Sequence, residues 1–589
     1  MKNWILRRNA ADYAYLSEEL NIDPVAVRIM INRGITDLES MREFLSDDIS
    51  DCFNYKGLPN IQKGLDIIKE AKADNLKCRI VGDYDADGVT ATTVLMKGLT
   101  LYGLDCDFVI PNRLIDGYGI NTNIVDKAKK DKIGLIVTCD NGISAREAID
   151  AAIDYGIKVV VTDHHTVTES ETPTKAGALI NPKMHVNEYP FPDICGAFVA
   201  FKFLEALFDG DSSFEKIKDE LLEFVAIASI TDVMPLIDEN RKLVKWGLKR
   251  LKNAKNLGLK RLVYKCGVAQ KEFDVTSFDI GFRIGPCINA AGRIDIAETC
   301  VKLFLTDSEN VADGICDKLI ALNDERKALT EKNVEDGIFK VISKYTEATL
   351  PNVIVLYLED CHVAICGLVA GRIRERFYRP AIVFGNSNGM LTGSGRSIDE
   401  FNIIEGVQKC ADLCEKFGGH KAACGLTIKE ENLQEFTKRI NELSNLKKED
   451  LIEKLYIDAD MPFGYVSFDL MKDLEKLEPF GCANASPVFA RKDLQIISAK
   501  KVGADGTHLF ISVRDEKNQV RSLKLWKRAA EFEEFLNENF GYNTSELLYE
   551  SSSKLLDKNI RLTVSYYPTV NNYKNNTSID FVIKDYKLT

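Results

Sequence analysis

Three short apolar runs in the first third of the chain each end in acidic residues, and this constrains the fold more than any other feature. Cys78–Gly82 runs into Asp83-Tyr84-Asp85-Ala86-Asp87-Gly88, and the residues from Gly88 to Leu101 read as a helix. Leu135–Thr138 ends at Cys139-Asp140-Asn141-Gly142; Ser144 with Glu147 three residues on reads as a capping box that opens the next helix. Lys158–Thr162 ends at Asp163-His164-His165. Short β-rich runs alternating with helices imply a parallel sheet covered on both faces. In a doubly wound sheet, ligands bind beyond the carboxyl ends of the strands. If these strands are neighbours, their carboxylates and both imidazoles converge on one rim, and Asp232 adds another carboxylate at the end of the apolar stretch Leu221–Ile230. Negative groups so crowded repel one another without a cation. Oxygen and imidazole donors together suit Mn²⁺ or Mg²⁺, and two such ions about 3.5–4 Å apart suit phosphoryl chemistry. A lone Asp-x-Asp-Gly is ordinarily a turn and a lone His-His a surface pair; three acidic strand ends in succession call for a metal.

The remainder of the chain has room for further domains. Its 589 residues suggest about four, at about 150 residues each. Residues 1–45 read as a helical segment, 46–310 as the α/β domain with a helical second half, and 311–345 as a linker helix. Residues 346–450 form a smaller α/β unit that starts with Val353–Tyr357 and Pro380–Phe384. In 455–589, five short strands (Leu494–Ala499, His508–Val513, Val520–Leu525, Arg561–Tyr567, Ile579–Ile583) predict a small barrel, with Asn571–Ser578 as a hairpin loop. No apolar run approaches the roughly 18 residues of a membrane span, and the N-terminus lacks the apolar core of a signal peptide. The 15 cysteines include no Cys-x-x-Cys pair, so reduced thiols in the cytoplasm are expected. The net charge of −12 argues against a general nucleic-acid coat but leaves room for a local basic groove. Arg241–Lys265 holds ten Lys/Arg and no acid, and is expected as a helix close to the site. Arg491–Arg528 holds ten Lys/Arg and four acids, with Phe510 and Trp526 interleaved. Basic residues with aromatics suit backbone attraction and base stacking on a single strand.

The ordered motifs resemble a known family. Val81–Gly88, Thr138–Gly142, Asp163–His165 and Thr231-Asp232 look like the four motifs of the DHH phosphoesterases. Gly285-Pro-Cys-Ile-Asn-Ala-Ala-Gly-Arg293 resembles the signature of the RecJ exonucleases within that family. Gly393–Ser397 and Gly418–Gly425 resemble the DHH-associated domain, and Leu477–Gly481 with Gly506–Leu509 the oligonucleotide-binding (OB) domain of RecJ proteins. The resemblance implies a multi-domain α/β chain: a DHH doubly wound sheet, a linker helix, a DHH-associated domain and an OB barrel. It implies Asp85, Asp87, Asp140, His164 and Asp232 as ligands of two Mn²⁺ or Mg²⁺ ions, with Asp83, His165 and Asn289 as catalytic neighbours. It further implies Arg113, Arg293, Ser394 and Arg396 as the pocket for a 5′ phosphate, with His420 and His362 as substrate contacts; forked guanidiniums pair bidentately with phosphate.

The implied activity is 5′-to-3′ exonucleolytic hydrolysis of single-stranded DNA to 5′-mononucleotides, in DNA repair and recombination. The expected form is a cytoplasmic monomer with no membrane contact, working with a single-strand-binding protein and a helicase. Three departures from the family pattern stand out: Val81 where a His is frequent, Cys361-His362-Val-Ala-Ile in place of Trp-His-x-Gly-Val, and Cys424 for Ala. The rival readings are a small-substrate DHH enzyme, against which residues 457–589 count, and a binding protein with a decayed site, against which the intact carboxylates and histidines count.

Overall fold

The computed structural model describes every residue except 1, 114–116, 186–187, 271–273, 388, 551–552 and 574–575. The chain divides into two compact units, Asp47–Leu451 and the combination of Met1–Ser46 with Ile452–Thr589.

In the larger unit, β1 (Cys78–Val81), β2 (Cys106–Val109), β3 (Leu135–Cys139), β4 (Lys158–Thr162) and β5 (Ala178–Ile180) form one sheet. All pairings are parallel, in the order β2-β1-β3-β4-β5. β1 and β3 are buried at every residue, as strands covered on both faces must be. Chain progression reverses between β1 and β3, which is the switch point where a doubly wound sheet opens a crevice. Helix α1 (Ala86–Tyr102) follows β1 and α2 (Arg146–Asp154) follows β3. The helical half of this unit contributes α3 (Gly196–Leu207), α4 (Glu215–Thr231), α5 (Asp238–Leu248), α6 (Leu257–Lys265) and α7 (Gly285–Ile294). The 36-residue helix α8 (Glu309–Lys344) leads to a second sheet. Its strands are β6 (Ile354–Tyr357), β7 (Ala381–Ser387), β8 (Met390–Arg396), β9 (Cys414–His420) and β10 (Ala423–Ile428), in the order β9-β10-β8-β7-β6. Helix α9 (Cys366–Phe377) packs on β7 and β8.

The smaller unit holds a closed five-stranded barrel: β11 (Phe489–Val502), β12 (His508–Arg514), β13 (Val520–Leu525), β14 (Arg561–Tyr573) and β15 (Asn576–Leu588). The order β11-β12-β13-β15-β14 closes through the β14–β11 pairing, so no long edge is left open. The strands run further than the sequence suggests, and pairs such as Asn571↔Ser578 extend the ladder into the expected loop, whose tip lies outside the described residues. The N-terminal helices share this unit's core: Val27, Met30 and Met41 belong to one apolar cluster with Leu470, Phe489 and Leu523.

The structure corrects two local expectations. Ser144 and Glu147 make no capping box, since α2 begins at Arg146 with Ala145 before it. The Asp163 carboxylate holds the Ile143 N–H at 2.9 Å and Gly142 turns at φ 113°, so residues 143–145 are spent on the turn. The basic run is two helices, not one: the Glu223 carboxylate accepts the Lys255 N–H and Asn256 caps α6.

Candidate metal centre

The carboxyl ends of β1, β3 and β4 meet at the switch point. Asp85 caps α1, its Oδ1 accepting the N–H groups of Asp87 and Gly88 at 3.0 and 3.1 Å. Asp87 is buried and turned back toward α3, where its two oxygens accept the N–H groups of Gly196 and Ala197 at 2.7 and 2.8 Å. A side chain at 196 would meet the Asp140 Cβ at 2.6 Å, so only glycine brings this helix N-terminus against the carboxylates. Asp140 stands at φ 59°, a left-handed conformation that costs on the order of 1–3 kcal/mol and collects at functional sites.

His164 Nε2 is the hub, 3.1 Å from Asp140 Oδ1, 3.5 Å from Asp232 Oδ2 and 3.6 Å from Asp87 Oδ2. The donors fall into three sets, each within 4.8 Å: Asp87/His164/Asp232, Asp140/His164/His165 and Asp83/Asp85/Asp140. Asp140 belongs to an all-carboxylate set on the β1 side and to an imidazole-bearing set on the β4 side. If each set took an ion, Asp140 would serve both.

The electrostatics of the crowded carboxylates favour a cation among them. Burial, then Asp85, pushes Asp87 up to about 7. Burial, then Asp87 and Asp85, pushes Asp232 up to about 9. Asp83 and Asp140 are raised for the same reasons. Burial and His165 push His164 down to about 3, which leaves a neutral imidazole to act as a donor. Asp83 Oδ1, Asp140 Oδ1 and Asp232 Oδ2 are buried with no hydrogen-bond donor among the described residues. Buried carboxylate oxygens demand a partner, and hard divalent cations suit this donor set.

His165 is held differently. Its Nδ1 lies 2.8 Å from Asp163 Oδ1, and that oxygen also accepts the N–H groups of His164 and His165. Burial opposes charge on His165, but Asp163 and the other carboxylates outweigh it and raise the ring to about 9. The Tyr118 hydroxyl donates to the Asp140 carbonyl at 2.8 Å and lies 3.2 Å from the His165 ring nitrogens. Asn289 reaches the site through its Oδ1, which accepts the Ala86 N–H at 2.8 Å and so fixes the start of α1.

A cluster of arginines adjoins the carboxylates. Arg113 lies 5.1 Å over the Tyr84 ring, and Arg293 donates to the Ala364 carbonyl at 2.9 Å. Burial, then Arg113, Arg326 and Arg396, pushes Arg293 down to about 9, with Asp85 opposing. Arg396 is lowered by burial and by Arg113 and Arg374, and its guanidinium lies where a side chain on Gly367 would be. Ser394 shares the Arg396 face of β8, two residues away. Burial, then Arg396 and His165, lowers the proton affinity of His420. His362 caps the turn that carries Ala364. Buried cations gathered this closely suit an anion.

The basic run Arg241–Lys265 does not join this pocket as free charge. Lys245 and Lys249 pair with Asp47, Lys255 with Asp219, Arg261 with Asp313 and Lys265 with Asp317. Tyr118, Asn141 and Arg326 were not singled out from sequence. The Gly-Tyr-Gly of residues 117–119 carried a signal, since both glycines adopt positive φ.

The fold and this site define a metal-dependent phosphoesterase of the DHH class. Residues 77–229 match the DHH family N-terminal domain, 350–445 the DHHA1 domain and 457–585 the RecJ OB domain. The single-stranded-DNA-specific exonuclease RecJ of Salmonella typhimurium is 33% identical over 86% of this chain and 89% of its own. RecJ of Bacillus subtilis is also 33% identical, over 88% of this chain; the chain spans 65% of that relative. Among solved structures, RecJ of Thermus thermophilus in complex with Mn²⁺ superposes with a TM-score of 0.80 at 24% identity, over all of this chain and 80% of that one. An exonuclease RecJ bound to manganese gives 0.55 at 31% identity, over 65% and 94%. The chain belongs to the RecJ family of metal-dependent nucleases.

Mn²⁺ should therefore stabilise the larger unit. At 100 times its dissociation constant a ligand contributes about 2.7 kcal/mol, a rise of about 3 °C in melting temperature for a unit of this size. Calorimetry with Mn²⁺ and then with EDTA checks this; an identical melting temperature in both would rule out a metal site here.

Proposed function

We propose that this chain degrades single-stranded DNA from its 5′ end, releasing 5′-mononucleotides. The observation that carries the reading is the adjacency of the carboxylate–histidine centre to a pocket of arginines, with Asp85 close enough to Arg293 to influence its charge. Asp85, Asp87, Asp140, His164 and Asp232 would hold Mn²⁺ or Mg²⁺, as the donor sets allow. Bound there, the ions would supply an activated water and neutralise charge on the attacking and leaving oxygens.

The protein's own groups do the rest. Arg113, Arg293, Arg396 and Ser394 fix a terminal phosphate, and so place the next phosphodiester at the metal centre. His165, oriented by Asp163 and Tyr118, is the group to hold a proton at the departing 3′ oxygen. Asn289 and the Gly196 and Ala197 amides keep α1 and Asp87 in place while charge develops. The reading places the enzyme in DNA repair and recombination, alongside proteins that expose and coat single strands.

The barrel supports a strand-binding role on its own surface. On β12 and β13, Leu509, Ile511, Leu523 and Leu525 point inward while His508, Phe510 and Lys524 face out. Lys500, Phe510 and Lys524 lie in register across three strands, and the exposed Trp526 meets Phe510 edge to face. Lys500 makes no ion pair among the described residues, whereas Lys501 pairs with Glu533 at 2.8 Å. Lys500→Glu should then flatten the log–log dependence of strand affinity on salt by about one unit, and Lys501→Glu should do less. Equal slopes in wild type and Lys500→Glu would show that this face is merely solvated. The reading as a whole is tested with 5′-labelled single-stranded DNA, blunt duplex and a cyclic dinucleotide, each with Mn²⁺ and with EDTA. Only the single strand with Mn²⁺ should be cut rapidly; preference for the cyclic dinucleotide would overturn it.

A further inference from the structure

Phe278 and Phe282 are 57% and 64% exposed and lie flat against each other, with ring centroids 4.6 Å apart and planes 22° apart. Large apolar side chains exposed as a contiguous pair mark an interaction site more often than single ones do. Phe278 lies in the one-turn helix Ser277–Asp279, and Phe282 lies on the π-helical turn Ile280–Ile284 that follows it and runs directly into α7. Such turns recur at functional sites.

Their position on the helix ties them to the active centre. Phe278, Phe282, Pro286, Asn289 and Arg293 follow at spacings of four, four, three and four residues, which keeps them on one side of the helical run. That side is turned to the site at its far end. Asn289 bonds the Ala86 N–H, Arg293 neighbours Arg113 and Arg396, and a side chain at Gly292 would strike the Tyr84 carbonyl at 2.1 Å. At the near end, a side chain at Gly285 would meet the Thr231 methyl at 2.4 Å, so the π turn rests on the last turn of α4, which ends at the ligand Asp232. Val233, the next residue, is 66% exposed and held at φ 57°, a left-handed position usually given to glycine. Along the helix axis Phe282 lies about 10 Å beyond Asn289, at 1.5 Å per residue. Arg293 lies past Asn289 in the opposite direction.

We propose that Phe278 and Phe282 stack the bases of the strand downstream of the scissile phosphate. The inference rests on the reading of the site as a single-strand exonuclease. One face of one helix would then carry the whole reaction register: Arg293 at the terminal phosphate, Asn289 at the level of the metal centre, and the aromatic pair under the bases that follow. Every base has a π face, so such a contact is indifferent to sequence and lost only when the base is absent. Duplex DNA cannot use it, because its bases are already stacked.

The test compares wild type with a Phe278→Ala/Phe282→Ala double variant and a Phe278→Tyr/Phe282→Tyr control. Substrates are 5′-phosphorylated single strands, intact or with one abasic residue walked through the first positions after the scissile bond. Wild type should lose about 10-fold in kcat/KM when the abasic residue occupies the position over the pair. The alanine variant should show that loss already on the intact strand and no further loss on the abasic one, with the Mn²⁺-induced melting shift kept. The tyrosine control should behave as wild type. Full activity of the alanine variant on intact strands would overturn the proposal. So would losses from the variant and from the abasic residue that multiply, because the rings would then act through the fold and not through the base. If wild type cuts none of the strands, the exonuclease reading itself fails.

Discussion

Replacing Asp140 with alanine should abolish cleavage, by about 1000-fold or more, while leaving the fold intact. Asp140 is the one carboxylate common to the Asp83/Asp85 set and the His164/His165 set, so its loss would remove a donor from both sets at once. Metal-assisted hydrolysis depends on several kcal/mol of charge stabilisation at the ions, and each 1.4 kcal/mol is a factor of ten. The same substitution removes a buried carboxylate that burial and its acidic neighbours hold well above its usual range. The variant should lose the Mn²⁺-induced rise in melting temperature. Wild-type turnover in a preparation free of other nucleases would mean that the reaction does not run through this centre.

Arg396→Ala should cost about 10- to 100-fold in the preference for a 5′-phosphorylated over a 5′-hydroxyl strand. A charge-assisted pair contributes on the order of 1.5–3 kcal/mol, and a terminal phosphate carries more negative charge than the diester of a strand interior. Arg396 comes from β8 of the second sheet, whereas Arg113 and Arg293 come from the first domain, so the pocket is assembled from distant segments. Burial, with Arg113 as a neighbour of both, lowers the proton affinity of Arg293 and Arg396. Removing one should relieve repulsion in the empty pocket while weakening it for phosphate. Rates on the two strands separate the possibilities: an unchanged ratio would place end recognition elsewhere.

What could be read from the sequence divides along physical lines. Asp83–Asp87, Asp140 and His164-His165 were legible because a parallel strand is short and apolar and the acidic and imidazole residues follow it directly. Strand adjacency, conditional in the sequence, follows in the structure from the order β2-β1-β3-β4-β5. The barrel strands were legible through their alternation, though their ends were not, since pairing extends them beyond the apolar stretch. Long-range pairings stayed hidden. Lys249 finds Asp47 some 200 residues away, so a run that reads as a basic groove is largely neutralised locally. Asp163 read as one more carboxylate converging on the rim and instead orients His165. Residues 1–45 looked like a separate segment because nothing local says that Val27 and Met30 share a core with Phe489.

The most direct test of the account follows one strand labelled at either end. A 5′-phosphorylated single strand carries a label on its 5′ nucleotide in one reaction and on its 3′ nucleotide in the other, both started with Mn²⁺. The account predicts that the 5′ label appears at once and only as a mononucleotide, while the 3′ label passes through a ladder that shortens by single residues. Arg396→Ala should slow both without changing the products. Early release of the 3′ label as a mononucleotide, or labelled internal fragments in either reaction, would contradict it.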